Sequence, residues 1–314
     1  MTLVTESRRP ARRAPGPDAP RGGPDHGAWF LVLPALIPIL VLSVGPLLYG
    51  ILLAFTDAQS GRTEPTQWIG ALNFQDLLHD TLFWESFRIG LVWAVGVTVP
   101  QFLLALGLAL LLNQNLRLRW LARALAIIPW AMPEVVVGIM WRLVYNTDAG
   151  ILNETLRDLG LGDGHDWLSG LGTALPAVIV VGVWAGMPQT TVALLAGLQN
   201  TPRELHEAAA VDGAGRLRTL DSVTAPLLAP GIVATALFAF VTAWNEFFFA
   251  LVLLKSPRKQ TLPVVLTHFI GAEGVADLGP LAAAAFLATL PSLVVFALVQ
   301  RRITGGLLAG AVKS

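Results

Sequence analysis

Two carboxylates, Glu134 and Glu246, stand inside stretches that are otherwise apolar, and Glu246 directly follows Trp244 and Asn245. An ionised carboxylate at the centre of a bilayer costs about 2.5–3.5 kcal/mol on insertion scales, so acids in such surroundings need a partner or a polar route. Thr235 and Thr242 fall on about the same helical face as Asn245 and Glu246. Two readings stay open for these groups: they line a polar path, or they hydrogen-bond one helix to another. Trp130, Trp184 and Trp244 likewise offer flat faces that could stack on an apolar ring or fill a core.

None of these residues forms a bond-making constellation. The chain has no Gly-x4-Gly-Lys-Ser/Thr phosphate loop, no His-Glu-x-x-His and no Gly-x-Ser-x-Gly. Its five histidines, His26, His79, His165, His206 and His268, lack ligand spacing, and it has no cysteine. Thiol nucleophiles, disulfides and Cys-ligated metals are therefore excluded. No catalytic residue, metal ligand or bound cofactor is assigned.

The elements that hold these groups are membrane spans. Of the 314 residues, 54% are hydrophobic and 13% charged, about half the charge usual in soluble domains. The 21 basic and 21 acidic residues balance, which removes any global attraction to nucleic acid. A crossing helix needs about 20 apolar residues. Six stretches qualify: Ala28–Phe55, Phe83–Leu112, Ala122–Val144, Leu175–Gly197, Leu227–Leu254 and Leu281–Val299. The expected fold is all-α, a polytopic membrane protein with six transmembrane helices over residues 28–314. Pro34, Pro38 and Pro46 predict bends in the first span. Trp29, Trp68, Trp84, Trp93, Trp120 and Trp167 read as interfacial or loop residues, and Gly182 with Gly186 as a helix-contact pair.

Fourteen of the 21 basic residues fall on one side of this topology. They include Arg8, Arg9, Arg12, Arg13 and Arg21 in the N-terminal arm and Arg301, Arg302 and Lys313 at the other end. The positive-inside rule puts both termini in the cytoplasm, with Lys255, Arg258 and Lys259 as a local exception. Residues 1–27, rich in Pro, Arg and Gly, cannot bury a core and are expected to be a disordered basic arm that helps fix topology and could touch anionic lipid.

One connection is too polar to span and too well punctuated to be a tail. Between spans four and five, about residues 199–225, Thr201 and Glu204 have capping-box spacing and Pro202 sits at the first helical position. The helix reads Glu204 to Asp212 and stops at Gly213. Leu205, Ala208, Ala209 and Asp212 share one shallow face, and a second turn from Arg216 to Thr224 leads to Pro226 and Pro230.

Glu207-Ala208-Ala209, Asp212-Gly213-Ala214, Pro226 and Pro230 resemble the EAA signature of binding-protein-dependent ABC importer permeases. Two positions depart from it, Leu220 where an aromatic is usual and Ala225 where a larger aliphatic is usual. Gly70-Ala71-Leu72-Asn73-Phe74, Pro129-Trp130-Ala131-Met132-Pro133 with Trp141, Asn146, Gly150 and Asn153, and Trp244-Asn245-Glu246-Phe247 resemble carbohydrate-uptake permeases of the maltose and glycerol-phosphate type. Similarity extends over about residues 30–314.

The resemblance implies a bacterial inner-membrane permease half for a sugar or sugar-like solute. Its partners would be a second homologous permease, an extracytoplasmic solute-binding protein and an ABC ATPase dimer that carries ATP and Mg. Glu207, Ala208, Ala209, Asp212, Gly213 and Leu220 would dock the ATPase. Trp130, Glu134, Trp184, Trp244, Asn245 and Glu246 would line the solute pathway, and the connection Ser256–Pro280, with Thr261-Leu262-Pro263, would face the binding protein. An ion-coupled secondary carrier is the rival, with Glu134 and Glu246 carrying protons, but it leaves the capped cytoplasmic helix without a task. A non-sugar importer permease is the other alternative.

Overall fold

The structure, a computed structural model, describes residues 26–114, 117–162, 164–170, 172–200, 209, 215–271 and 274–311. The expected disordered arm at 1–27 falls almost wholly outside the described residues. So do Glu207, Ala208, Asp212 and Gly213 of the capped helix. Of that helix only Ala209 is described, and it is helical and buried.

Among the described residues the elements are helices, joined by three isolated β-bridges and no longer strand. Five helices are long and apolar enough to cross a membrane, six if one bent pair counts as a span. The spans are Val32–Leu53, Thr81–Leu112, the pair Arg119–Ala131 and Glu134–Val144, Ala174–Gln199, Ala225–Leu253 and Leu278–Arg302. Each matches one expected stretch, with ends moved by a few residues.

By contacts the chain falls into two units, Met1–Gly50 and Ile51–Ser314. In the first, α1 (His26–Ile39) passes through a π-helical turn, Leu40–Val44, into α2 (Gly45–Leu53). The turn ends two residues before Pro46. A proline ring clashes with the carbonyl four residues back, and for Pro46 that carbonyl, on Leu42, lies within the π turn. The same device recurs in the second unit. There α9 (Arg216–Thr219) is followed by a π turn, Leu220–Thr224, just ahead of Pro226.

The second unit is organised by α4 (Thr81–Leu112), which follows the short α3 (Leu72–His79). Helix α4 starts where it does because Asp80 caps it, Oδ1 accepting the amides of Leu82 at 2.8 Å and Phe83 at 3.3 Å. Its main neighbour is α8 (Ala174–Gln199), which comes after α5 (Arg119–Ala131), α6 (Glu134–Val144) and α7 (Ile151–Asp158). Glycines let the two backbones approach, as between membrane helices generally. A Cβ on Gly182 would stand 2.9 Å from Val97 and 3.0 Å from Trp93, and one on Gly186 would stand 2.5 Å from the Gln101 carboxamide. The expected contact pair is therefore a contact pair. Helices α10 (Ala225–Trp244), α11 (Phe248–Leu253), α12 (Leu262–Val265) and α13 (Leu278–Ala311) complete the unit.

The core corrects one expectation. Trp93 is not interfacial but 1% exposed in the middle of α4, where its indole N–H donates to the Ala243 carbonyl at 2.8 Å. It belongs to the same core cluster as Phe83, Val137, Val178, Val181, Leu253 and Leu262. Part of the connection 256–280 is tucked in, because Lys259, Thr261 and Leu262 are buried, whereas His268, Ile270 and Val275 are exposed. The Lys259 ammonium donates to the carbonyls of Ser169 and Gly170, so this part of the local basic exception is a strut between two connections.

One end of the unit is closed by a clasp between distant connections. The Asn73 amide donates to the carbonyls of Ala54 and Thr56, each at 2.9 Å. Gln59 donates to Asp277 at 2.7 Å, and Ser60 and Ala276 exchange hydrogen bonds. Gly279 is needed there, since a Cβ would lie 2.1 Å from the Thr56 carbonyl oxygen. Beside the clasp, the Gln67 amide and then Arg62 hold Asp57 below the usual carboxylate range.

Candidate functional site

Two spans of the second unit are broken, each for a local reason. Between α5 and α6 stand Met132 and Pro133, and the helix axis turns by 95°. Pro133 drives the residue before it out of the helical region, and Met132 has φ −87 and ψ 138. Between α10 and α11 no proline intervenes. Instead the Asn245 carboxamide donates back to the Val241 carbonyl at 2.8 Å, while the Glu246 carboxylate accepts the amides of Phe249 and, at 3.3 Å, Ala250. The Glu246 side chain thus takes over amides that a continuous helix would bond to backbone carbonyls, while the Val241 carbonyl accepts both the backbone amide and the carboxamide of Asn245.

Both breaks open onto one cavity of about 520 Å³. Helix α4 contributes Trp93, Val97 and Gln101, and α8 contributes Gly182, Ala185, Gly186, Gln189 and Thr190. The first break supplies Trp130, Met132, Pro133 and Glu134, and the second supplies Asn245, Glu246 and Phe247, with Phe238 and Thr242 from α10. This volume lies in the range of small-molecule pockets, which combine apolar walls with a few placed polar groups.

The polar groups fall into two kinds. Gln101 and Thr190 are buried and spend their capacity on each other, Gln101 Nε2 donating to Thr190 Oγ1 at 2.7 Å and to the Gly186 carbonyl at 3.0 Å. Glu134, Asn245 and Thr242 are exposed on the wall, and Gln189 is half-buried. No metal-holding group of three or more acids and histidines occurs among the described residues.

Of the pathway residues expected from sequence, Trp130, Glu134, Asn245 and Glu246 come together here. Trp184 and Trp244 do not line this cavity. Trp184 packs edge-on against Trp141, with ring centres 5.7 Å apart. Trp244 is buried against Phe87 and Phe240 and donates its indole N–H to the Ala288 carbonyl at 2.8 Å, tying α10 to α13. Glu134, expected at mid-span, begins α6 at the break. Thr242 joins Asn245 and Glu246 on the wall, as their shared face predicts, but Thr235 bonds the Gly231 carbonyl of its own helix. Sequence reasoning missed Gln101, Gln189 and Phe238; a glutamine on each of two apolar helices was the available signal.

Comparison with known proteins gives these features a context. Residues 101–305 match the family described as the binding-protein-dependent transport system inner membrane component. An ABC transporter permease protein of Streptomyces antibioticus is 73% identical over 137 residues, 44% of this chain, which spans 59% of that relative's length. The diacetylchitobiose uptake system permease of Streptomyces coelicolor is 30% identical over 97% of this chain and 92% of its own. In fold, the chain resembles a bacterial ABC transporter involved in the import of the acidic polysaccharide alginate. The TM-score is 0.74 at 20% identity, covering 88% of this chain and 94% of the other. With the matched region taking in both broken spans and the cavity wall from Gln101 onward, the chain belongs to the binding-protein-dependent transport system inner membrane components, the permease family of ABC importers.

Proposed function

We propose that the chain forms one half of the transmembrane path of an ATP-driven importer for a saccharide or sugar-like solute. The observation that carries this reading is the cavity at the two helix breaks. Its wall sets Trp130, Phe238 and Phe247 beside Gln189, Asn245 and Glu134, and a sugar ring likewise alternates apolar faces with a hydroxyl rim. Diacetylchitobiose, the solute named for one relative, supports the same class.

In this reading a second homologous permease supplies the facing wall. A solute-binding protein delivers the sugar from outside, and an ATPase dimer holds ATP and Mg on the cytoplasmic side, where both termini of this chain also lie. The segment 199–225 is the lever, with Glu207, Ala208, Ala209, Asp212, Gly213 and Leu220 as docking residues. ATP closes the ATPase dimer, the lever transmits the movement, and the broken spans bend. Glu207→Ala is expected to weaken ATPase capture while leaving membrane insertion intact.

The test is ATPase activity of the reconstituted complex, measured with its binding protein over a panel of saccharides. Stimulation by at least one saccharide is expected. If every saccharide were inert and an amino acid stimulated, the sugar assignment would fall while the importer reading survived. A chain that co-purified with no ATPase would overturn both.

A further inference from the structure

Sorted by charge, the described residues around the cavity are one-sided. Glu134 and Glu246 bring carboxylates, and no Lys, Arg or His is among them. The two acids are not equivalent. Glu246 has both oxygens on backbone amides of α11. Glu134 stands exposed, without a hydrogen bond or ion pair to any described residue, on the cavity wall. The N-terminus of α6, which begins at Glu134, contributes only about half a positive charge. One carboxylate outweighs it.

We infer that this chain's share of the path selects against negatively charged solutes, and that Glu134 is the residue that determines this, accepting hydrogens from the hydroxyls or ammonium of a neutral or cationic polyhydroxylated solute. The inference rests on the reading of the cavity as a solute path and narrows it. A uronate or phosphorylated sugar would bring its own anion beside two carboxylates with no base to meet it, and the aromatic and aliphatic wall leaves that repulsion weakly screened. A hydroxyl or ammonium donor would instead find in Glu134 an acceptor that has no competing partner.

The absence of cysteine permits a direct measurement of the sign of the field. Thr242, exposed on the wall, is close in shape to cysteine, so Thr242→Cys gives this chain a single thiol, in the cavity, and the unsubstituted complex gives the background reaction of its partners. Its rates of modification by a trimethylammonium methanethiosulfonate and by a sulfonate methanethiosulfonate are each divided by the rate with a neutral small thiol in solution. The cationic reagent is expected to be favoured. Glu134→Gln is expected to lower that preference about fivefold or more, the scale for removing one unit charge from the same cavity wall, whereas Glu134→Asp retains it.

Equal normalised rates, or a preference that Glu134→Gln leaves unchanged, would overturn the inference. Should Glu134→Gln fail to assemble, the Thr242→Cys complex and a Gln189→Cys complex still report the sign. Failure of both reagents to react, at rest and during ATP turnover, would instead overturn the underlying reading that the cavity admits solute.

Discussion

Asn153 is fully buried, and its single carboxamide organises a whole connection. Its nitrogen faces the carbonyls of Asn146 at 3.2 Å, Thr147 at 3.2 Å and His165 at 2.9 Å, while its oxygen accepts the His165 amide and the Trp167 indole N–H. Removing a partner from a buried polar group costs about 1–3 kcal/mol. Asn153→Ala is therefore expected to destabilise the protein by about 2–4 kcal/mol, measured as heat stability in detergent, with the cavity residues untouched. Asn153→Asp should do comparable harm despite its equal size, because it turns an oxygen towards three carbonyls. The position of Asn153 is visible in the sequence as part of a recurrent motif, but its task is not, since the partners lie in a connection with no regular pattern. Glu246 teaches the same lesson at the site. An acid in an apolar stretch signals importance, yet only the folded chain shows its oxygens on the amides of Phe249 and Ala250.

Helix pairing depends on what glycine leaves out. At Gly182 and Gly186 of α8 the missing Cβ makes room for Trp93 and Gln101, whereas at Gly107 of α4 nothing lies within 4 Å of where a Cβ would be. Gly186→Ala is expected to cost about 1–3 kcal/mol by overpacking and to disturb the Gln101–Thr190 hydrogen bond. Gly107→Ala should be neutral or stabilise by up to about 1 kcal/mol through helix propensity. Thermal unfolding of the two variants side by side checks the contrast, and equal effects would count against this account of the α4–α8 contact. The spacing of Gly182 and Gly186 makes the contact legible from sequence. The burial of Trp93 is harder to read, because α4 is apolar almost all round, and Ser86 and Gln101, seven residues before and eight after Trp93, are faint marks of the face that turns inward. The two breaks differ in the same way. Pro133 is on view as the agent of the first, while the second has no proline and arises from side-chain hydrogen bonds that only three dimensions reveal.

The six apolar stretches, counted at about 20 residues each, foretell the order of spans because the bilayer allows few ways to satisfy a backbone. Connections have no such constraint, which is why the burial of Lys259, Thr261 and Leu262 was not legible. The charge distribution adds a testable orientation. A reporter fused after Ser314 is expected to be active only when its fold requires the cytoplasm, and activity confined to the outside would reverse the topology. The clasp has a consequence for how the polypeptide is made. Gln59 and Ser60 find their partners 218 and 216 residues further on, so these hydrogen bonds form only after nearly the entire chain has been made. A nascent chain halted after Ile270 should hold its early spans in the bilayer yet leave the Ser60 amide, which donates to the Ala276 carbonyl in the finished fold, open to hydrogen exchange. Protection should arrive abruptly once synthesis passes Gly279, marking the moment at which biogenesis is sealed.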